Sequence, residues 1–248
     1  MVRAARTRPS RVVQVTNPQI DRARALVDGA DVLLLDFDGP LARIFPGTTW
    51  LEVSADLRRY AVERAGAHLA PVLGDEPDHV QVLRMIGEHA PEIAVDAAEL
   101  VTRLELDAAR TAPLQPGALE FLDEALTRSA RVFVVTNNDP DVVPAVLDRH
   151  VPGLTARLDG VHGRTAGRTD DLKPAPDLLL RALAQAPGLP AVFLGDSVTD
   201  VLAGDAAGVQ AVGVAQDATR RDDLLAAGAR AVVADLDELL HTPGGGPA

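Results

Sequence analysis

Apolar and polar positions along the chain follow two rhythms. Continuous apolar runs at 32–35, at 132–136, and in AVFLGDS and QAVGVA have the length and β-branched content of buried strands; the weaker ARAVVAD reads as a short edge strand. Between them lie segments with helical spacing. PGALEFLDEALTRSA has an apolar face through Leu119, Leu122 and Leu126, and PDVVPAVLDRHV, PDLLLRALAQA, DVLAGDAAG, RDDLLAAGA and DLDELLHT continue the series. Pro144 is compatible with a helix because it falls in the first turns. Asn17 and Pro18 have the character of an N-cap and first helical position, with Ile20, Ala23, Leu26 and Val27 on one face. The alternation of helix and strand predicts an α/β fold with a parallel sheet covered on both faces.

One block breaks the alternation. From about 50 to 112 the pattern is helical throughout, in LEVSADLRRYAVERAG, VQVLRMIGEHA and AAELVTRLELDAAR, and it predicts a small all-helical insertion. PLARIFPGTT, before it, is too rich in Pro and Gly for regular structure. The expected organisation is a flexible arm at 1–16, an α/β core of 17–42 and 113–243, a helical cap at 43–112, and a frayed tail at 244–248.

The strand ends carry the chemistry. The first run closes as DVLLLDFDGP; Asp36 and Asp38 lie two apart in an extended segment and so face the same way. A solvent-facing Asp-Gly turn would explain that pair alone. The next run ends in Thr136 and Asn137, and a later one in Gly195, Asp196 and Ser197, with Asp200 four residues on. In an open parallel sheet these ends share the edge where ligand crevices form. Four carboxylates gathered there repel one another unless a cation or a shared proton intervenes. Oxygen donors without Cys or His suit Mg2+ better than zinc. Helix capping by Asp196, with Asp200 one turn on, explains each residue separately but not their convergence.

Composition narrows the function. A formal charge of −12 over 248 residues weighs against nucleic-acid binding and leaves any anionic ligand to be neutralised locally. The chain has no Cys, which removes disulfides and thiol chemistry and fits a reducing compartment. No apolar run approaches the roughly 18 residues of a membrane span, and MVRAARTRPSR lacks the apolar block of a secretory signal, so the expected setting is the cytoplasm, away from membranes. Among 24 basic side chains only Lys173 is a lysine. A compact point charge fits between a carboxylate and a phosphate where the arginine fork would clash, although a single lysine must also fall somewhere by chance.

DFDGP at 36–40, VVTNN at 134–138, KPAPD at 173–177 and GDSVTD at 195–200 resemble, in order and spacing, the four motifs of the haloacid dehalogenase-like hydrolase superfamily. The resemblance implies a Rossmann-like core with a cap inserted after the first motif, and a Mg2+-dependent phosphatase acting on a small phosphorylated metabolite. It assigns Asp36 as nucleophile, Asp38 as acid and base, Thr136 as a donor to the phosphate, and Lys173 as its neutralising cation. Asp36, Asp196 and the Asp38 carbonyl would hold Mg2+, with Asp200 supporting the metal or Lys173. An acid at position 38 separates the chain from dehalogenases, whose leaving halide needs no proton, and a cap without Lys separates it from the imine-forming phosphonate branch. A sugar phosphomutase shares the same core residues; a catalytically idle interaction protein using the helical block is the reading from another class.

Substrate contacts are expected from Gly39, Asn137 and Arg43, near the motifs, and from Arg164 and Arg168 in the Gly-containing GRTAGR stretch. Arg58, Arg59, Arg64, Arg84, His89 and Arg103 of the insertion read mainly as solvated helix residues.

Overall fold

The computed structural model describes residues 17–128 and 130–241, so the expected arm at 1–16 and tail at 244–248 lie outside the described residues. Six parallel strands form one sheet in the order β3-β2-β1-β4-β5-β6: β1 Val32–Leu35, β2 Arg131–Val135, β3 Gly160–His162, β4 Ala191–Gly195, β5 Gln210–Val214 and β6 Ala231–Val233. The helices are α1 Pro18–Asp28, α2 Thr49–Ala65, α3 Ala70–Leu73, α4 His79–His89, α5 Ala94–Ala109, α6 Ala118–Thr127, α7 Val142–His150, α8 Asp177–Leu183, α9 Val198–Ala206 and α10 Ala218–Ala227.

Strand alternation divides the apolar side chains between the two faces. Leu33, Leu35, Val132, Val134, Val192 and Leu194 pack with Ala23 and Val27 of α1, Phe121 and Leu122 of α6, and Val146 and Leu147 of α7. Val32, Leu34, Phe133, Val135 and Phe193 face the other way, onto Leu178 and Leu179 of α8 and Ala203 of α9. Burying each such Leu or Phe contributes about 1.5–3 kcal/mol, and the central strands are apolar throughout because both faces are covered.

The helical block has a core of its own. Leu57 and Ala61 of α2, Val82, Leu83 and Ile86 of α4, and Ala97, Ala98 and Val101 of α5 pack together. Its chain leaves the sheet after β1 and returns before α6, which places α4 over the carboxyl-terminal ends of the strands.

Helix starts follow local chemistry. Asn17 caps α1 by accepting from the Gln19 amide at 3.0 Å. Ser197 and Asp200 form a reciprocal capping box at α9. At the sheet margin, the Gln19 side chain accepts from the outward-facing Val232 amide of β6 at 3.1 Å, and Arg24 donates to the Glu238 carbonyl at 2.8 Å. The helix that precedes β1 thus covers an edge strand whose free amide would otherwise face solvent.

Two expectations need correction. The sheet has a sixth strand, β3, that the sequence pattern does not announce: its three residues, Gly160, Val161 and His162, include one strong strand former, and pairing with β2 supplies the rest. The expected closing helix is a 3-10 turn, Leu236–Leu239, capped by Asp235, too short to continue as an α-helix.

Candidate active site

β1 lies between β2 and β4, so Asp36, Thr136 and Asp196 emerge side by side where the strand order reverses. The Asp36 amide donates to the Leu194 carbonyl at 2.8 Å, extending the β1–β4 ladder by one residue and fixing the carboxylate at the mouth. Phe37 turns back into the core with no exposed surface, which leaves Asp38 on the same side as Asp36. Asp38 Oδ1 then accepts from the Ile44 amide at 2.9 Å and ties the loop leading to the helical block.

Lys173 joins the cluster from below the sheet edge. Its Nζ lies 2.7 Å from Asp36 Oδ1 and 2.6 Å from Asp200 Oδ1, and donates to the Val135 carbonyl at 3.2 Å. Two carboxylates and one backbone carbonyl thereby surround a single ammonium. Asn137 frames the lysine peptide, accepting from its amide at 2.8 Å and donating to its carbonyl at 3.2 Å.

Close packing makes room for the carboxylates. Gly39 has φ of +134°, and a β-carbon there would stand 2.2 Å from Asp196 Cγ. At Gly195 a β-carbon would stand 2.4 Å from Asp200 Cβ. Asp200 Oδ2 accepts from the Asp196 and Ser197 amides at 3.1 and 3.0 Å and from Ser197 Oγ at 2.7 Å, while Arg220 Nη1 donates to Asp196 Oδ2 at 2.8 Å.

The electrostatics of the group are those of too many acids in too little water. Burial, followed by Asp200, pushes Asp36 up, while Lys173 opposes. Burial likewise pushes Asp38 up to about 7 against the Ile44 hydrogen bond. It pushes Asp196 up to about 7 as well, with Asp200 adding to it and Arg220 opposing. Burial alone would lower the Lys173 ammonium, but Asp200 and Asp36 outweigh it and hold its pKa above the usual lysine value. Asp36, Asp196 and Asp200 can each present an oxygen within 4.8 Å of the others, and this all-oxygen donor set fits a hard divalent cation such as Mg2+.

These residues open into a cavity of about 360 Å³ lined by Asp36, Asp38, Thr136, Asn137, Lys173, Asp196 and Asp200. The helical block supplies the opposite wall with Asp78, the N-cap of α4, and His79, Val80, Gln81 and Arg84 of its first half. Thr136 is fully buried, and its hydroxyl donates to Asn138 Oδ1 at 2.8 Å.

The three arginines expected at the substrate do not line this cavity. Arg164 is buried in an ion pair with Glu105 of α5, at 2.8 and 2.9 Å, and also donates to the Asn137 carbonyl and Thr102 Oγ1, each at 3.0 Å. Its guanidinium is consumed in fastening the helical block to the β2 loop. Arg168 pairs with Asp171 at 2.8 Å on the surface. Arg43 borders a neighbouring cavity of about 470 Å³ on the far side of Gly39 and Asp196, with Gln115 and Arg220.

Comparison with known proteins decides the family. The haloacid dehalogenase-like hydrolase model matches residues 30–208. The chain belongs to that family. It is also 32% identical over 235 residues to phosphoglycolate phosphatase of Rhodospirillum rubrum, a match covering 84% of this chain and 88% of that protein. Among solved structures, the fold is similar to CbbY from Rhodobacter sphaeroides in complex with phosphate, at 21% identity and a TM-score of 0.61, covering 85% of this chain and 96% of the other. A putative phosphoglycolate phosphatase from Lactobacillus plantarum is similar at 20% identity and a TM-score of 0.61, with 85% and 97% covered.

Residues singled out only by the fold are His79 and Glu105, while Arg84, which reads from the sequence mainly as a solvated helix residue, lines the cavity. Glu105 left a trace in the sequence: it continues the inward stripe Ala97, Val101, Glu105, Ala109, where an acid calls for a buried partner. His79 is buried at the first position of α4 and meets the Phe45 ring edge-on at 5.6 Å, a contact between distant segments without a local signal.

Proposed function

We propose that this hydrolase cleaves a small phosphomonoester with Mg2+, passing the phosphoryl group through Asp36. The observation that carries the reading is the arrangement of two unlike carboxylates at one strand end. Burial pushes both carboxyls up to about 7, but Asp36 lies 2.7 Å from the Lys173 ammonium, whereas among the described residues Asp38 forms no ion pair within 4.0 Å and accepts only from the Ile44 amide at 2.9 Å. A carboxylate held by a cation is suited to attack, and a carboxyl that keeps its proton near neutrality is suited to give it up.

In the first half-reaction an Asp36 oxygen bonds to phosphorus, the bond from phosphorus to the ester oxygen breaks, and Asp38 protonates the departing alkoxide. In the second, Asp38, now ionised, takes a proton from water as that water attacks the aspartyl-phosphate; inorganic phosphate leaves and both carboxyl groups return to their starting states. Lys173 neutralises the phosphoryl oxygens and orients Asp36. Thr136 turns its hydroxyl from Asn138 to a phosphoryl oxygen. Asp36, Asp196, Asp200 and the Asp38 carbonyl would hold Mg2+, which would supply the remaining positive field where charge accumulates. Residues 43–112 act as the cap that closes over this site and excludes water that would bypass it.

A cavity of about 360 Å³ suits a compact ester, and the Rhodospirillum rubrum relative makes phosphoglycolate the first substrate to test. The test is release of inorganic phosphate from phosphoglycolate, several sugar phosphates and an aryl phosphate, with Mg2+ and with EDTA. Release that requires Mg2+ is the expected result. Interconversion of hexose phosphates without release would move the assignment to a phosphomutase.

A further inference from the structure

The peptide bearing the single lysine is held from two sides. Asn137, at the end of β2, meets both the amide and the carbonyl of Lys173. From across the cavity, Arg84 of α4 donates through Nη2 to the Leu172 carbonyl and, at 2.5 Å, to the Lys173 carbonyl. Leu172 and Lys173 are themselves buried. A guanidinium presents several donors in a fixed fork, and here one nitrogen serves two successive carbonyls of the segment that aims the ammonium.

A second contact one turn further along α4 shows that this approach is built into the helix. A β-carbon at Gly87 would stand 2.3 Å from Thr169 Oγ1, in the 3-10 turn just before Lys173. Glycine inside a helix is less stable than alanine there, and at Gly87 it permits α4 to dock on residues 169–173. The same face of α4 therefore meets this segment through a missing side chain at one position and a paired donor at the other. The other charged groups near Arg84 are Asp78 and Asp170. Neither forms an ion pair with it within 4.0 Å among the described residues.

We infer that Arg84 is a positioning residue of the phosphoryl-transfer site, which clasps the Lys173 peptide when α4 sits over the strand ends, so that closure of the helical block and placement of the ammonium are one event. The inference rests on the phosphatase reading for its rate consequence, but not for its structural one. With α4 lifted away, Asn137 alone restrains the peptide, and the ammonium loses part of its alignment between Asp36 and Asp200. Misplacement of a catalytic group by about 1 Å costs roughly a hundredfold in rate.

Because the chain has one lysine, amine chemistry reports on it directly. The experiment measures, by peptide mass mapping, the rate at which an amine-reactive acetylating ester labels Lys173 in the parent, Arg84→Ala and Arg84→Lys, alongside turnover of an aryl phosphate and thermal unfolding. The expected result for Arg84→Ala is labelling at least fivefold faster, kcat at least tenfold lower with KM changed less than threefold, and an unfolding temperature close to the parent's. Arg84→Lys, which keeps a donor, should recover part of both effects. In a Lys173→Arg background, Arg84→Ala should lower kcat by less than twofold further, since both changes act on the same group. Parental labelling rates in Arg84→Ala would overturn the clasp whatever the activity. Independent, multiplying losses of kcat would show that Arg84 does not act through Lys173. Loss of all phosphate release in the parent, with labelling still faster in Arg84→Ala, would retain the clasp and reject the phosphatase reading.

Discussion

Gly39 and Asp196 are so close that the side chain of one occupies the space where a β-carbon of the other would be, 2.2 Å from the carboxyl carbon. The backbone of Gly39, at φ of +134°, is also one that residues with a side chain rarely adopt. Gly39→Ala should therefore cost about 1–3 kcal/mol of stability through strain and displace Asp196 from the carboxylate group. Calorimetric titration should find Mg2+ binding at least tenfold weaker; parental affinity would mean that Asp196 does not hold the ion.

Mg2+ should stabilise the fold as well as support turnover, because the buried Asp36 and Asp200 converge with the partly buried Asp196. At a hundred times its dissociation constant the ion should add about 2.7 kcal/mol. Asp196→Asn should lose most of the Mg2+-dependent rise in unfolding temperature. An identical rise in parent and variant would place the cation elsewhere.

Arg164 should behave as a structural residue. Its pair with Glu105 is buried on both sides and ties α5 to the loop after β2. Breaking such a pair leaves an uncompensated charge and costs about 3–5 kcal/mol. Arg164→Met should thus shift the urea midpoint strongly downward. A variant of parental stability with a raised KM would restore Arg164 to the substrate.

How much of this was legible in the sequence depends on whether a residue's partner is local. Asp36, Asp38, Thr136 and Asp196 were readable because each closes an apolar strand, and parallel topology brings strand ends together. Lys173 stands out by composition, and the three longer of the insertion's four α-helices, α2, α4 and α5, by periodicity. β3 was not legible, since its strand character comes from pairing with β2 rather than from Gly160, Val161 and His162. The partners of the arginines are not local either. Nothing near Arg164 in the chain announces Glu105, fifty-nine residues away, and nothing near Arg84 announces the carbonyls of Leu172 and Lys173.

Lys173→Arg keeps the charge and should still fail. Nζ reaches Asp36, Asp200 and the Val135 carbonyl within 3.2 Å, above the Phe193 ring at 5.5 Å, and the broader guanidinium cannot meet all three acceptors from one point. Turnover should fall at least tenfold while unfolding stays near the parental temperature. Parental turnover would reduce the lysine to a replaceable charge.

The central claim is that Asp36 carries the phosphoryl group, and the most direct test is phosphate release by purified Asp36→Asn beside the parent, with phosphoglycolate and an aryl phosphate in saturating Mg2+. An amide in place of the carboxylate removes the nucleophile while leaving the shape of the strand end intact. The account predicts Mg2+-dependent release by the parent, at least a thousandfold less by the variant, in keeping with the scale of losing a nucleophile, and phosphate bound covalently to Asp36 in rapidly quenched parent enzyme only. Release by Asp36→Asn at a rate near the parent's would contradict it.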